Sequence, residues 1–229
     1  VDELGQIAAP FTLPHVLDCG SIEDRSYAIE RRLPGTAVSD ELRRLDRRSR
    51  NRLIENHLDA ADALGDLHLA DRGWFGDLLA ASPVRTTTWR RYLEAKAADS
   101  LGQAPGFEAI DPGELAADLP ETAEASFVHL DAFTGNMLST GTEITAVIDV
   151  GASSVCGDRR LDPLSAAVYL CAPPITPFAD EHDRRVAHDW LTNANLMDHF
   201  EPARRWLAAF WAWATEDRAL HQWCRTVLL

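Results

Sequence analysis

Two short polar motifs, separated by a predicted hairpin, restrict the fold of this chain more than any other feature of its sequence. The first has the pattern His-x-Asp-x-x-x-x-Asn and consists of His129, Asp131 and Asn136. The second is Asp-x-Gly and begins at Asp149, 13 residues after Asn136. Taken singly, Asp131 would be an ordinary surface or capping carboxylate, and Asp149 would be a strand end followed by a turn. Their order and spacing therefore carry the prediction.

The segment between the motifs has the composition of a small antiparallel hairpin. Residues 136–139 and 144–150 are strand-like, and residues 140–142 between them suit a tight turn. Such a hairpin would fold the aspartate of the second motif back over the loop that carries the first. We therefore expect both aspartates to share one cleft, with the asparagine side chain between them.

This combination of side chains suits the transfer of a phosphoryl group from a nucleotide to a hydroxyl. The reaction needs a carboxylate that orients or deprotonates the accepting hydroxyl, and oxygen ligands that hold Mg²⁺ against the phosphates. The loop supplies one carboxylate and one amide, and the hairpin supplies the second carboxylate. Protein kinases have the same Asp–Asn spacing in their catalytic loop, followed by an Asp-x-Gly metal motif.

The sequence resembles the aminoglycoside phosphotransferases and related small-molecule kinases. The residues that carry the resemblance are FVHLDAFTGNMLSTGTEITAVIDVGASSVCGDRRLDPL, at 127–164. Upstream, LPHVLDCG and YAIERRLPG are similar to the strand and hinge before the large lobe, and GWFG with TTTWRRYL is similar to the hygromycin phosphotransferase branch. The resemblance implies a protein-kinase-like fold, α+β and mostly α. Residues 34–229 would form the helical large lobe, and residues 1–33 a remnant of the small β lobe with the hinge.

The resemblance also implies roles for the residues of both motifs. Asp131 matches the catalytic base, and Asn136 and Asp149 match the ligands of Mg²⁺. His129 matches a histidine that more often braces the catalytic loop than reacts. Leu130 departs from the family, because it is larger than the residue common at its position and would reshape the loop.

The nucleotide, ATP or GTP, would be bound through the backbone of the hinge, whose N–H and C=O groups would pair with adenine. Residues 27–33 match the hinge, and the candidate nucleotide-binding residues within it are Ile29, Glu30, Arg31 and Arg32. In this family the covering strands and the phosphate-binding lysine precede the hinge, and this sequence begins too late to contain them. Either they lie upstream in a complete kinase, or the protein has lost them. Lys96, the only lysine, follows the hinge in the large lobe and cannot take that role.

The charge of the chain favours cationic small molecules over nucleic acids as partners. The net charge is −14, from 36 acidic and 22 basic residues, which disfavours contact with a phosphate backbone. A basic run at 43–50 is interrupted by an acidic residue, Asp46, and lies in a predicted helix. It therefore indicates a solvated helix face rather than an RNA-binding patch.

A cationic acceptor, such as an aminoglycoside, would need carboxylates near the base. The first candidates for substrate binding are Asp180, Glu181 and Asp183, which follow a Pro-rich break. Glu216 and Asp217, at the start of the last predicted helix, form the second candidate cluster. Both clusters also suit N-terminal capping, and the sequence leaves the two roles open.

Cysteine usage and hydropathy indicate a cytoplasmic protein. The four cysteines are dispersed without a Cys-x-x-Cys pair, which disfavours a disulfide framework and a structural zinc site. No apolar run reaches the 18 residues of a membrane-spanning helix, and no signal peptide is visible at the N-terminus. The sequence carries no signature of an oligomeric state.

Helical periodicity dominates the remainder of the chain. Trp206, Phe210 and Trp213 recur at helical spacing and predict a stripe that faces the core. The predicted helices are 39–69, 86–100, 160–172, 180–199, 201–214 and 216–228, with one short helical turn within 102–120.

We therefore expect an ATP-dependent phosphotransferase that acts on a hydroxyl of a small molecule, with an aminoglycoside-like antibiotic as the first candidate. Choline, homoserine and sugar kinases would use the same loop, so they remain alternatives. A catalytically inactive, kinase-like binding protein is the alternative from another functional class.

Overall fold

The described part of the computed structural model, residues 9–23, 25–69, 71–80 and 82–229, contains eight helices and nine short strands. The architecture is α+β and mostly α, as predicted. The helices are α1 (Val38–Leu42), α2 (Arg47–Ala63), α3 (Trp89–Gly102), α4 (Pro112–Ala117), α5 (Leu161–Cys171), α6 (Glu181–Asn193), α7 (Phe200–Phe210) and α8 (Arg218–Leu228). The strands are β1 (Val16–Ile22), β2 (Arg25–Glu30), β3 (Thr36–Ala37), β4 (Phe75–Asp77), β5 (Arg85–Thr86), β6 (Ser126–Val128), β7 (Met137–Thr140), β8 (Glu143–Val147) and β9 (Val155–Gly157).

Helix α5 lies at the centre of the hydrophobic core. Every residue from 161 to 170 is buried, and the helix contacts α2, α6 and α7. A helix that is buried on every side has to be enclosed by other elements, which is the position α5 takes. No helix in the described ranges combines the length and apolar character needed to cross a membrane.

The predicted hairpin is confirmed, because β7 and β8 pair antiparallel from Met137 opposite Val147 to Thr140 opposite Glu143. Strand β3 completes this sheet, whereas β6 and β9 are neighbours in a second sheet of order β5-β4-β9-β6. The first motif crosses from β6 to β7, and the second returns from β8 to β9. Since both pairs of strands are hydrogen-bonded neighbours, the two crossings run side by side.

Strands β1 and β2 form a separate two-stranded antiparallel sheet in the segment predicted to belong to the small lobe. The Arg31 backbone N–H donates to the His15 carbonyl oxygen at 3.1 Å, which continues the pairing past β2. Residues 1–8 of the predicted small-lobe remnant lie outside the described residues. The division of the chain at residue 33 stays a prediction.

The single helix predicted over 39–69 is wrong, since two helices occupy this segment. Helix α1 ends at Leu42, and Asp46 caps the N-terminus of α2 by accepting from the Ser49 backbone N–H at 3.0 Å. A carboxylate at an N-cap satisfies a backbone donor that has no partner within the helix. The basic run contains this cap, which apolar periodicity alone could not reveal.

Two further predicted helices are shorter than expected. Helix α6 ends at Asn193, and Asn195 adopts a left-handed conformation with φ of 57°. Asparagine tolerates this conformation better than most residues, so the chain turns there before α7. Helix α7 ends at Phe210, which leaves Trp213 outside the predicted stripe and 47% exposed. The core-facing prediction is therefore correct for Trp206 and wrong for Trp213.

Candidate active site

Both predicted motifs line one cleft of about 410 Å³, in which Asp131, Asn136 and Asp149 lie together. The side-by-side crossing of the two loops between the sheets accounts for this proximity. Helices α5 and α8 and the segment after α7 form the opposite wall. Its lining residues include Tyr169, Ile175, Trp211, Asp217 and Leu220.

The Asn136 amide has an orientation that leaves its oxygen for a metal ion. Its Nδ2 donates to the Asp131 carboxylate at 2.9 Å and to the Asp131 backbone oxygen at 3.0 Å. Because these two contacts use the amino group, the amide oxygen is the remaining ligand. Among the described residues, no three His, Cys, Asp or Glu side chains form a metal cluster. The predicted ligands are instead the Asn136 amide and the Asp149 carboxylate, whose oxygen atoms suit Mg²⁺.

Asp131 has the properties of a base that works near neutral pH. Burial, and then the negative charge of Asp149, raise the pKa of Asp131 to about 7, against the opposing hydrogen bond from Asn136. A general base is most effective when its pKa lies close to the pH of the reaction. The repulsion between the two carboxylates also means that a cation bound between them would be favoured.

Two residues of the site adopt the left-handed backbone conformation, which residues other than glycine disfavour. The φ angles are 62° at Leu130 and 59° at Asp149. Such strain persists only where surrounding contacts enforce it. At Leu130 the backbone N–H donates to Asp162 at 2.9 Å, and the carbonyl oxygen accepts from the Tyr169 hydroxyl at 2.9 Å. The loop is therefore fixed on both sides of Leu130.

Asp162 holds the backbone of the first motif, a contact that the sequence analysis did not predict. Its carboxylate, fully buried in the first turn of α5, accepts the His129 backbone N–H at 2.9 and 3.0 Å besides that of Leu130. Burial raises the pKa of Asp162 to about 7, although the two backbone donors oppose this. One signal in the sequence could have identified this residue. Asp162 is the only charged residue of a mostly apolar helix, and it lies in the segment that resembles the kinases.

The His129 ring is bonded to the backbone on both sides of the site. Its Nε2 donates to the Ile148 backbone oxygen at 3.1 Å, so Nδ1 is the atom that accepts the Asp131 backbone N–H at 3.3 Å. Burial lowers the pKa of His129, which favours the neutral ring. The imidazole therefore ties the loop of Asp131 to the residue before Asp149.

The structure does not bring the predicted hinge residues into the cleft. Ile29, Glu30, Arg31 and Arg32 are exposed, and none of them lines the cleft described above. The Arg31 backbone N–H is already bonded to His15, so it is not free to pair with adenine. Nucleotide binding by the other backbone groups of the hinge stays a prediction.

The acidic cluster predicted to bind substrate has a different role, and this prediction is corrected. Asp180 and Asp183 form a capping box at the start of α6. Their carboxylates also pair with Arg47 at 2.9 Å and Arg50 at 2.5 Å, respectively, and the Asp183 side chain has no exposure. Glu181 is exposed but does not line the cleft. Two arginines of the basic run therefore form ion pairs with the start of α6, whereas the sequence analysis expected a helix face exposed to solvent.

The second acidic cluster contributes one carboxylate to the cleft. Asp217 lines the cleft and caps α8, accepting the backbone N–H groups of Ala219 and Leu220 at 3.0 Å each. Capping and substrate binding are therefore compatible at this residue. Lys96, in contrast, donates to the buried Asp77 at 3.0 Å and does not line the cleft.

Comparison with known families and structures gives a consistent assignment. The sequence profile of the phosphotransferase enzyme family, APH, matches residues 2–191. The solved structure of aminoglycoside phosphotransferase APH(4)-Ia has a TM-score of 0.66 at 21% identity, covering 97% of this chain and 78% of that chain. Aminoglycoside-3'-phosphotransferase of type VIII has a TM-score of 0.56 at 16% identity, covering 89% and 74%. The gentamicin complex of APH(2")-IIa has a TM-score of 0.52 at 13% identity, covering 95% and 74%.

The family profile and the structures establish different points. No curated protein shows a significant sequence match. At identities near 20%, the solved structures show that the fold is shared, which agrees with the kinase-like fold implied by the resemblance. The profile spans most of the sequence. The chain therefore belongs to the phosphotransferase enzyme family.

Proposed function

We propose that the protein transfers the γ-phosphoryl group of ATP or GTP to a hydroxyl group of a cationic, aminoglycoside-like small molecule. The observation that carries this proposal is the cleft in which Asp131 and Asp149 lie together, with Asn136 bonded to Asp131. Similar proteins support it, because APH(4)-Ia has been solved with AMP-PNP and hygromycin B, and APH(2")-IIa with gentamicin. A cytoplasmic location remains part of the proposal.

Asp131 would accept the proton of the acceptor hydroxyl as its oxygen forms a bond to the γ-phosphorus. The bond between the γ-phosphorus and the bridging oxygen of the β-phosphate breaks, and the nucleoside diphosphate leaves with that electron pair. His129 and Asp162 would hold the loop so that the Asp131 carboxylate faces the hydroxyl. General-base assistance of this kind contributes about 10²–10⁴-fold to the rate.

Asn136 and Asp149 would hold Mg²⁺, which when bound neutralises charge on the phosphates. The fit of this site has a test that needs no turnover. Magnesium chloride should lower the pKa of Asp131, followed by ¹³C NMR of the carboxyl carbon, because a cation offsets the charge of Asp149. The shift should be lost in Asp149→Asn, and an unchanged Asp131 pKa in the wild type would contradict magnesium binding at this site.

The wall opposite the two motifs suits a cationic sugar. Trp211 offers an aromatic surface, and Asp217 adds a third carboxylate to the cleft beside Asp131 and Asp149. A sugar ring packs well on an aromatic side chain, and a carboxylate pairs with the ammonium groups that lose water on binding. These contacts favour an aminoglycoside over a neutral hydroxyl acceptor.

The decisive experiment measures phosphorylation by the full-length protein. ATP and Mg²⁺ are supplied with hygromycin B, gentamicin, streptomycin, choline, homoserine or a hexose, and the product is identified by its mass. Asp131→Asn should lower kcat about 10²–10⁴-fold while nucleotide affinity stays within about 3-fold, because the base acts on the hydroxyl. Full turnover by this variant would exclude Asp131 as the base.

A kinase-like binding protein without turnover is the second candidate. It stays open because, within this sequence, no lysine precedes the hinge, and Lys96, which follows the hinge, is bonded to Asp77. Binding of the acceptors without ADP release, for the full-length wild type, would support this candidate and exclude the first.

A further inference from the structure

A chain of two hydrogen bonds joins the acceptor wall of the cleft to the catalytic loop. The indole N–H of Trp211 donates to the Tyr169 hydroxyl oxygen at 2.7 Å, and the Tyr169 hydroxyl donates to the Leu130 backbone oxygen at 2.9 Å. Both directions are fixed, because an indole nitrogen only donates and a carbonyl oxygen only accepts. The hydroxyl proton of Tyr169 is therefore committed to Leu130.

Tyr169 is held in one position and in one protonation state. The residue is 2% exposed, and its ring packs edge-on against Trp223 with ring centroids 6.3 Å apart. Burial, and then the charge of Asp131, raise the pKa of Tyr169 well above its usual value. The phenol consequently stays protonated and remains a donor to the loop.

The bond from Tyr169 acts where the loop is strained. Leu130 has a φ of 62°, and the peptide group that contains its carbonyl leads directly into Asp131. Asp162 holds the N–H of Leu130 and Tyr169 holds its C=O. Both side chains come from α5, seven residues and about two helical turns apart, so they lie on the same face of that helix. Without the hydroxyl, the Leu130 carbonyl would lose its partner, and this peptide group would be held only by the bond from the Asp131 N–H to His129 and, through the neighbouring peptide group, by Asp162.

Trp211 belongs to the cleft as well as to this hydrogen-bond chain. It is half-buried and lines the cleft opposite the catalytic loop. Its indole N–H is directed at Tyr169, so its ring faces are what it can offer to an acceptor. One side chain can therefore contact the acceptor and support the loop at the same time.

We propose that Trp211 and Tyr169 are positioning residues that couple acceptor binding to the orientation of Asp131. An acceptor packed against Trp211 would fix the indole, the indole would fix the Tyr169 hydroxyl, and the hydroxyl would fix the peptide group before Asp131. Neither residue exchanges a proton with the substrate. The inference rests on the proposed function, because it takes Asp131 as the base.

Substitutions in the full-length protein separate this role from simple packing. Tyr169→Phe keeps the ring and removes both hydrogen bonds, whereas Trp211→Phe keeps an aromatic surface and removes the first. Trp223→Phe is the matched control, since Trp223 packs on the same tyrosine without taking part in the chain. Thermal melting of each variant establishes that it is folded, and the milder Trp211→Phe keeps the test valid if Tyr169→Phe does not fold.

The kinetic result expected is a lower kcat with little change in KM. We expect kcat to fall about 10- to 100-fold in Tyr169→Phe, a loss typical of a misplaced reacting group, and less in Trp211→Phe. KM for acceptor and nucleotide should stay within about 3-fold. Since Trp211 acts through Tyr169, the double variant should be no slower than Tyr169→Phe alone. Additive losses, or a raised acceptor KM with unchanged kcat, would overturn the proposal.

Hydrogen–deuterium exchange tests the loop without any turnover. Amides at 129–136 should exchange faster in Tyr169→Phe and Trp211→Phe than in the wild type and in Trp223→Phe. Equal exchange in all four proteins would overturn the proposal. If the wild type phosphorylates none of the acceptors, the proposed function fails, and this exchange comparison alone decides whether the two residues hold the loop.

Discussion

Two buried histidines, His57 and His129, contact the segment that carries the site, and they differ in how their ring nitrogens are used. Both nitrogens of His129 have backbone partners. In His57, on α2, Nδ1 lies 3.1 Å from the sulfur of Met137, and Nε2 is buried without a hydrogen-bond partner among the described residues. Burial lowers the pKa of His57 to about 4. His57 is therefore a neutral core residue beside the catalytic hairpin.

We expect His57 to make the protein less stable as the pH falls from about 6.5 to about 4. In the unfolded chain a histidine binds its proton near pH 6.5. Between the two pKa values the unfolded state binds more protons, so the stabilisation is complete above pH 6.5 and is lost as the pH falls. The shift of the pKa corresponds to about 3 kcal/mol at the acidic end.

Urea unfolding of wild type and His57→Leu between pH 4.5 and 8 measures this contribution. A direct comparison is needed because the pKa values of Asp131 and Asp162 are raised to about 7. These two carboxyls therefore increase the free energy of unfolding as the pH falls over the same range, which opposes the effect of His57. The free energy of unfolding of the wild type should fall relative to His57→Leu as the pH decreases. His68→Gln, at an exposed histidine, should follow the wild type. A difference between wild type and His57→Leu that does not change with pH would contradict the prediction.

At the scale of single residues, the sequence predicts the groups that form a local motif and misses those that reach the motif from elsewhere. Asp131, Asn136 and Asp149 are recognisable because their spacing and the hairpin between them are contained in one short segment. Asp162 binds the backbone of a loop about 30 residues away, so its role depends on how α5 packs. Tyr169 has an ordinary helical context, and nothing in the sequence directs its hydroxyl toward Leu130.

Helices α2 and α6 are joined by a buried ion pair. Arg50 Nε donates to Asp183 Oδ1 at 2.7 Å, and its Nη2 donates to Oδ2 at 2.5 Å. The same guanidinium also donates to the backbone oxygens of Phe178 and Leu42. With the Asp183 side chain fully buried, this pair has little solvent to screen it, in contrast to exposed ion pairs.

Removal of Asp183 should destabilise the protein severely. Asp183→Ala leaves the Arg50 charge in a partly buried site without its carboxylate, a change that costs about 3–5 kcal/mol in comparable cases. Asp189→Ala removes an exposed carboxylate from the same helix and should alter the free energy of unfolding by less than about 0.5 kcal/mol. Urea unfolding at pH 7 measures both. Equal stability of the two variants would show that the ion pair between the helices contributes nothing.

Elements with a strong apolar period are predictable here, but the contacts between elements are not. Helical periodicity predicted most of the observed helices, and α4 lies where one short helical turn was predicted. The same periodicity predicted one helix where α1 and α2 are separate, because the Asp46 cap lies within a run of charged residues. It also treated the basic run and the acidic cluster as two independent surfaces. They are partners about 130 residues apart, and only the packing of α2 on α6 brings Arg50 to Asp183.

For the whole molecule, the acidic charge and the composition of the cleft act in the same direction. The net charge of −14 produces a field that attracts cations over a distance. Within the cleft, Asp131, Asp149 and Asp217 concentrate negative charge at the place where an acceptor would bind. A polycationic acceptor would therefore be favoured both during its approach and after it binds. Salt should weaken both effects, because mobile ions screen charges that solvent can reach.

Asp217 provides a test of this charge that leaves the fold intact. Asparagine caps a helix as well as aspartate does, so Asp217→Asn removes the charge and keeps the bonds to Ala219 and Leu220. At low salt we expect the KM of the full-length protein for a cationic aminoglycoside to rise about 5-fold, the effect of about 1 kcal/mol from one partly exposed pair. The KM for ATP and the kcat should change little.

A matched variant and a salt titration show whether the rise in acceptor KM comes from Asp217 itself or from any loss of negative charge. Glu216→Gln removes a neighbouring exposed carboxylate that does not line the cleft, so it should leave the acceptor KM nearly unchanged. The difference between Asp217→Asn and the wild type should shrink as sodium chloride is raised toward 1 M, where the Debye length falls to about 3 Å. Equal KM values for Asp217→Asn and Glu216→Gln at low salt would show that Asp217 serves only as the cap of α8. A neutral hydroxyl acceptor should not distinguish the two variants, because it carries no charge for the carboxylate to compensate.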